Sequence, residues 1–327
     1  MPPPVRRLLA TVVALLLGAL ALAAPALADN AGLTPVEPRS PNADAINETF
    51  YLILAITGVI FVIVQATLIL FVVKYRRGRR PREAEGPQVH GHTRLELLWT
   101  AIPVLILVFL IGFVFWKLPE IEDVPAASAG DAPNLEVEVE GRQFYWQYTY
   151  PNGSITYDTL VAPVDRTVVL EITAPDWDVA HSWWAPALGG KADAIPGETT
   201  RWWFRVDREG EYGGACTEFC GVQHGSMRIG VRAVPADRFD AELDALDGRR
   251  DGRRAFESVC AKCHNVSGPQ LIGPSLQGSP LLTDRQALRE LLENGQGKMP
   301  PVGRDWTDEQ FDALFEFVQR IGAPGGG

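Results

Sequence analysis

Sulfur and imidazole are scarce in this sequence. Its 327 residues hold four cysteines, three methionines including the initiator, and five histidines. So few cysteines in so long a chain exclude a disulfide-stapled scaffold, which is shorter and denser in sulfur. Cationic excess is lacking too. The formal net charge is −10, which argues against nucleic acid as a partner; an acidic exterior suits a basic protein instead. No internal repeat is visible. The little sulfur present is clustered: His224 follows Cys220 by four residues, and His264 follows Cys263 directly. That grouping suggests ligands rather than staples.

Long apolar runs are present. Arg6 and Arg7 precede an apolar stretch over residues 8–23, and Ala26-Leu27-Ala28 forms a small-x-small cleavage site before Asp29. Residues 1–28 therefore read as an export signal, with an uncleaved membrane helix as the alternative. Residues 50–73 form an almost uncharged run of about 24 residues, and residues 97–116 another of about 20, each long enough to span a bilayer. Lys74, Arg76, Arg77, Arg79, Arg80 and Arg82 follow the first run and mark the cytoplasmic side. The sequence thus predicts a transmembrane hairpin over 45–120, with the mature N-terminus and everything after Trp116 outside.

Residues 121–134, rich in Pro, Ala and Asp, read as a linker. The hydrophobic period then becomes two: Leu135, Val137 and Val139 alternate with Glu136, Glu138 and Glu140. Residues 144–150, 167–173, 200–206 and 227–234 are further strand candidates, and their spacing predicts a Greek-key β domain over 133–236. Near Ala236 the composition turns helical, and residues 237–251 are charged and read as a link between domains. Helix candidates follow at residues 252–260, after a capping box of Thr283 with Gln286, and after another of Thr307 with Gln310. These predict a small all-α domain over 250–323.

The segment from Cys216 to Met227 packs Cys216, Cys220, His224 and Met227 into one loop, and His181 lies upstream. Thiolate, imidazole and thioether together favour copper. Two Cys with two His could also hold structural zinc, or the two Cys could pair, but zinc has little use for a thioether. The pattern Cys-x-Glu-x-Cys-x-x-x-His-x-x-Met with an upstream His resembles the CuA domain of subunit II of haem–copper cytochrome c oxidases. The resemblance implies a cupredoxin-like fold and two copper ions. It implies His181, Cys216, Cys220, His224 and Met227 as side-chain ligands, and the Glu218 carbonyl completing the site. The Glu218 carboxylate would reach a magnesium ion at the boundary with subunit I.

Cys260-Ala261-Lys262-Cys263-His264 is the attachment motif for c-type haem: two thiols add to the haem vinyl groups and the adjacent His faces the iron. Gly252, Phe256, the Ile272-Gly273-Pro274-Ser275-Leu276 segment and Lys298-Met299-Pro300 resemble a class I cytochrome c. That resemblance implies His264 and Met299 as axial ligands, a pair that raises the iron potential. The two resemblances together are to a caa-type oxidase subunit II with a fused cytochrome c. They imply a multidomain membrane protein made of a two-helix transmembrane hairpin, an all-β cupredoxin-like Greek-key domain and an all-α class I cytochrome c domain.

The segment Phe144, Tyr145, Trp146 matches an aromatic cluster that receives electrons near the copper site. Many members carry Trp where Phe144 stands, a departure that weighs against the usual route from a soluble donor; Tyr145 and Trp146 read equally well as core. The Leu-Glu-x-x-Trp-Thr piece containing Glu96 also resembles the family, in some members of which the matching Glu lies at the mouth of a proton path. Pairing with Arg94 is the other reading of Glu96.

The resemblance implies electron flow from a donor, either a cytochrome c or a quinol–cytochrome c reductase complex, through haem c and the copper pair to subunit I. Oxygen would be reduced there, with proton translocation. Subunit III and membrane lipid are further expected partners, in the plasma membrane of a prokaryote with both redox domains on the outer face. This chain carries no histidine set for oxygen-reducing haems, so it is expected to be a subunit of an enzyme whose oxygen chemistry lies in another chain. A related nitric oxide reductase and a copper-delivery module are the alternatives.

Overall fold

A computed structural model describes residues 34–75, 88, 90–127 and 132–322. The export signal expected over residues 1–28 and the arginines from Arg76 to Arg82 lie outside the described residues. The chain divides into two units: Asp44–Asp123, and the residues before and after it.

The first unit is helical. Helix α1 spans Pro41–Tyr75 and α2 spans Thr93–Glu122, 35 and 30 residues. At about 1.5 Å per residue both exceed the roughly 30 Å hydrocarbon core of a bilayer. Phe61, Leu105 and Phe115 point outward, exposed, as a hydrocarbon solvent allows and water does not. Lys117 of α2 lies 2.7 Å from both Glu48 of α1 and Glu120, so the cation ties the start of one helix to the end of the other.

The second unit opens on ten strands: β1 Leu135–Arg142, β2 Tyr145–Thr149, β3 Ile155–Tyr157, β4 Thr159–Pro163, β5 Val168–Thr173, β6 His181–Trp184, β7 Ala192–Ala194, β8 Thr200–Phe204, β9 Gly210–Cys216 and β10 Arg228–Val234. They form two five-stranded sheets, ordered β3-β2-β1-β5-β8 and β4-β10-β9-β6-β7. The β1–β5 and β10–β4 pairs are parallel, so the chain crosses between sheets rather than meandering. This is the expected cupredoxin-like sandwich. In β1 the alternation works as its sequence predicts: Val137 and Val139 are fully buried, and Glu136 and Glu138 face solvent. Leu160, Leu170, Ile172, Phe204 and Val231 complete the core.

Residues 237–251, read as a charged link, contain helix α3, Phe239–Leu246. Phe239, Leu243 and Leu246 share one face at i, i+4 and i+7 and join the sandwich core. A helical module follows with α4 Gly252–Ala255, continued by a wider helical turn over Phe256–Cys260, then α5 Arg285–Asn294 and α6 Asp308–Gly322. Helix α5 starts one residue later than the expected box: Asp284, not Thr283, accepts from the Ala287 N–H at 3.0 Å. Helix α6 has the expected reciprocal cap, with Gln310 N–H on Thr307 Oγ1 at 3.2 Å and Thr307 N–H on Gln310 Oε1 at 2.9 Å.

A second core joins the modules. Tyr145, Ile155 and Tyr157 of the sandwich are buried with Leu288, Leu314 and Trp306 of the helical module. Burial this continuous makes the helical module part of one packed body with the sandwich.

Candidate redox centres

Strand register gathers the first site. Trp183 of β6 pairs with Cys216 of β9, and Ala215 of β9 pairs with Arg228 of β10. His181, Cys216 and Met227 therefore emerge at the same end of three adjacent strands. The Cys216 N–H donates to Met227 O at 3.0 Å, and Thr217 N–H to Ser182 O at 3.0 Å, which closes the loop carrying Cys220 and His224 onto that end.

The donor atoms converge. Those of His181, Cys216 and Cys220 lie within 4.8 Å of one another. Cys216 Sγ lies 4.0 Å from His181 Nδ1 and 3.2 Å from the Glu218 carbonyl oxygen. Cys220 Sγ lies 3.6 Å from His224 Nδ1 and 3.9 Å from Met227 Sδ. Two ligands bonded to one ion at about 2.0–2.3 Å sit roughly 3.3–3.8 Å apart, so these spacings fit a metal centre. His181, Cys216, Cys220 and Met227 are all buried, and neither sulfur is in a disulfide. A thioether inside a thiolate–imidazole set is a soft-metal arrangement and fits copper better than zinc.

The site is tuned before any ion binds. The Cys216 and Cys220 thiols are pushed apart: the hydrogen bond between them lowers Cys216 and raises Cys220, and burial adds to the rise of Cys220. Burial pushes the His181 imidazole down, but Asp178 and Cys216 outweigh it and hold it above its ordinary value. Asp178 Oδ1 lies 3.4 Å from His181 Nε2, which leaves Nδ1 facing the sulfurs. The second Asp178 oxygen accepts from the Gln143 N–H at 3.0 Å. Gly141 leaves room for this imidazole, since a Cβ there would stand 3.0 Å from its ring.

The second site is an apolar cavity of about 280 Å³ in the helical module, with Cys260, Cys263, His264 and Met299 on its walls. Both the Cys263 and His264 amides donate to Cys260 O, at 3.0 and 2.9 Å, a turn that brings the three side chains together. His264 Nδ1 lies 2.8 Å from Pro274 O; as the donor there it leaves Nε2 free to bind a metal. Gly273 makes that contact feasible, because a Cβ would come within 2.4 Å of His264 Cε1. Met299 sits in a turn closed by reciprocal backbone bonds with Gln296, both 3.0 Å. Burial raises the Cys260 thiol to about 12 and pushes Cys263 up as well. An apolar slot with two thiols, an oriented imidazole and a thioether fits a covalently held haem.

The aromatic segment lies between the two sites, buried. Phe144 lines the haem cavity, and a Cβ on Gly221, beside Cys220, would stand 3.1 Å from its ring. Tyr145 OH donates to Val302 O at 2.7 Å and accepts from Trp306 Nε1 at 3.1 Å. The Trp146 ring meets His181 edge-on at 6.0 Å. Sequence reasoning missed Gln143, Asp158 and Gln223. Gln143 Nε2 donates to Cys220 O, and Gln223 Nε2 to Lys262 O, both at 2.6 Å. Only the position of Gln223 inside the ligand loop could have marked it. Glu96 stands in the first turn of α2, where its Oε1 accepts from His92 N–H at 3.0 Å while His92 Nδ1 accepts from Leu95 N–H. It caps the helix rather than pairing with Arg94 as the alternative reading had it.

Residues 28–118 match the family described as cytochrome c oxidase subunit II, transmembrane domain, and residues 154–234 its periplasmic domain. Residues 248–318 match cytochrome c oxidase, cbb3-type, subunit III. The cytochrome c oxidase subunit 2 of Alkalihalophilus pseudofirmus is 31% identical over 318 residues, covering 88% of this chain and 91% of that protein. The subunit 2 of Bacillus sp. (strain PS3) is 28% identical over 75% of this chain and 79% of its own, and that of Thermostichus vulcanus 33% identical over 64% and 77%.

Proposed function

Because this chain belongs to the cytochrome c oxidase subunit II family, we propose that it is the electron-input subunit of a terminal oxidase, carrying electrons from haem c to a copper centre and on to subunit I. The observation that supports this best is the convergence of two ligand sets in one packed unit, with the Gln223 amide of the copper loop bonded to the Lys262 carbonyl of the haem-attachment loop. Copper and haem iron, when bound, supply one-electron carriers. His181, Cys216, Cys220 and Met227 are buried and would keep water from the copper side of the site.

We assign His181, Cys216, Cys220, His224, Met227 and the Glu218 carbonyl to two copper ions, with both thiolates shared. Both thiols sit in one donor cluster, with His181 beside Cys216 and with His224 and Met227 beside Cys220, and two thiolates flanked in this way supply enough donors for two ions rather than one. Cys260 and Cys263 are assigned to the haem thioethers, and His264 and Met299 to the axial positions. The exposed Glu218 carboxylate is proposed for a magnesium ion at the subunit I boundary. Glu96 is proposed for the mouth of a proton path, and Phe144, Tyr145 and Trp146 for the electron route.

The proposed layout is a signal over 1–28, a hairpin over 45–120, a copper domain over 133–236 and a cytochrome domain over 250–323. It places both redox domains outside the plasma membrane of a prokaryote, with subunit III and lipid as neighbours and a cytochrome c or a quinol–cytochrome c reductase complex as donor. Optical and electron paramagnetic spectra of the purified chain should show one c-type haem and a mixed-valence copper pair. Stopped-flow reduction should then show electrons passing from haem to copper. A protein with exchangeable copper and no such transfer would overturn the reading.

A further inference from the structure

Lys262 occupies a variable position of the haem-attachment motif, between Cys260 and Cys263, yet its side chain leaves the helical module. Its ammonium lies 2.9 Å from the Phe144 carbonyl and 2.5 Å from Asp158 Oδ2, and the lysine and aspartate side chains are only 14% and 19% exposed. The acceptor is built for it. Asp158 stands at φ 55°, in the left-handed region that Asp tolerates better than most residues, in the tight corner between β3 and β4. Its other carboxylate oxygen accepts from the Trp146 N–H at 3.0 Å. Trp146 is the residue whose ring meets His181.

The backbone of the same lysine faces the opposite flank of the copper loop. Its carbonyl accepts from Gln223 Nε2 at 2.6 Å, and Gln223 directly precedes His224. One residue thus joins the loop holding the haem thiols to both histidine flanks of the copper site. The ammonium does so through Asp158 and Trp146, the carbonyl through Gln223. A charged side chain with two charge-assisted contacts is costly to leave unpaired at a closed interface, so this geometry favours the docked arrangement.

We propose that Lys262 is a positioning residue for electron transfer, a latch that keeps the haem-attachment loop seated on the copper loop so that transfer within the chain proceeds from a permanently docked state. The proposal rests on the functional reading above, in which haem c feeds the copper centre.

The test uses the full chain in detergent with both cofactors loaded, comparing wild type with Lys262→Met, Asp158→Asn and the double variant. Hydrogen exchange at the interface amides of residues 144–158 reports docking without any reference to activity. Each single substitution removes a charge-assisted bond and should speed that exchange about 10- to 100-fold. The double variant should exchange no faster than the singles, because both remove one shared interaction. After photochemical reduction of the haem, transfer to copper should slow in all three variants, while haem content and the rate of haem reduction stay as in wild type.

Unchanged exchange in Lys262→Met would overturn the latch. So would faster exchange with an unaltered transfer rate, since Lys262 would then be structural only. Absence of haem-to-copper transfer in the wild type would instead sink the functional reading itself.

Discussion

Removing the Tyr145 hydroxyl tests whether the cytochrome module and the sandwich form one cooperative unit. Tyr145 is fully buried in the core that joins them. Its hydroxyl donates to Val302 O at 2.7 Å and accepts from Trp306 Nε1 at 3.1 Å, both across the junction. Tyr145→Phe keeps the ring and its packing but orphans a carbonyl and an indole N–H. Each buried polar group left without a partner costs about 1–3 kcal/mol, and relaxation recovers part of the sum, so the loss should be about 2–4 kcal/mol. For a unit of this size that corresponds to a fall in Tm of roughly 5–15 °C. The assay is thermal unfolding of the holoprotein in detergent, followed both by haem absorbance and by near-ultraviolet circular dichroism. The two probes should move together. Trp306→Phe should give a smaller loss, and the double variant less than the sum, because one hydrogen bond is common to both. A Tm within a degree of wild type, or a shift in the haem signal alone, would refute the claim that this hydroxyl ties the two modules into one unit.

Other outcomes follow from the same geometry. Burial raises Tyr145 to about 12 and pushes Tyr148, Tyr150 and Tyr157 up as well. A folded value above the unfolded one near 10 means that stability is intact below about pH 10 and is lost as pH rises through the folded values; denaturant midpoints measured from pH 8 to 12 should show it, and a flat profile would contradict it. Asp178→Asn weakens the partner of His181 Nε2 and should lower copper affinity about 10- to 100-fold, read by competition with a chelator, while haem content stays constant. Gly273→Ala drives a Cβ into the His264 ring and should abolish normal haem incorporation, seen as loss of the c-type absorption band with the copper signal retained.

Much of the site was legible in the sequence because its information is local. The Cys216 to Met227 loop carries four candidate ligands in twelve consecutive positions, and the Cys260 to His264 motif needs only one turn of backbone. The length of the apolar runs follows from the thickness of a bilayer, and the alternation in β1 from the pleat of a strand. Where such signals were weak, elements were missed. Strand β6 has four residues and β7 three, and β9, Gly210–Cys216, is too rich in glycine to show a period. The helical composition that begins near Ala236 is legible, but the charges of α3 make it read as a link and not as part of the sandwich core, because only three of its eight side chains are buried there.

What the sequence by itself determined is therefore chemistry at short range: which residues can bind metal, which thiols can take haem, and which runs can cross a membrane. The tertiary structure alone decided how the two redox modules meet. Lys262 and Asp158 are 104 positions apart, Gln223 and Lys262 39, and Tyr145 and Val302 157. Contacts across such separations leave no periodic trace, because they are fixed by the packing of folded surfaces and not by the repeat of any helix or strand.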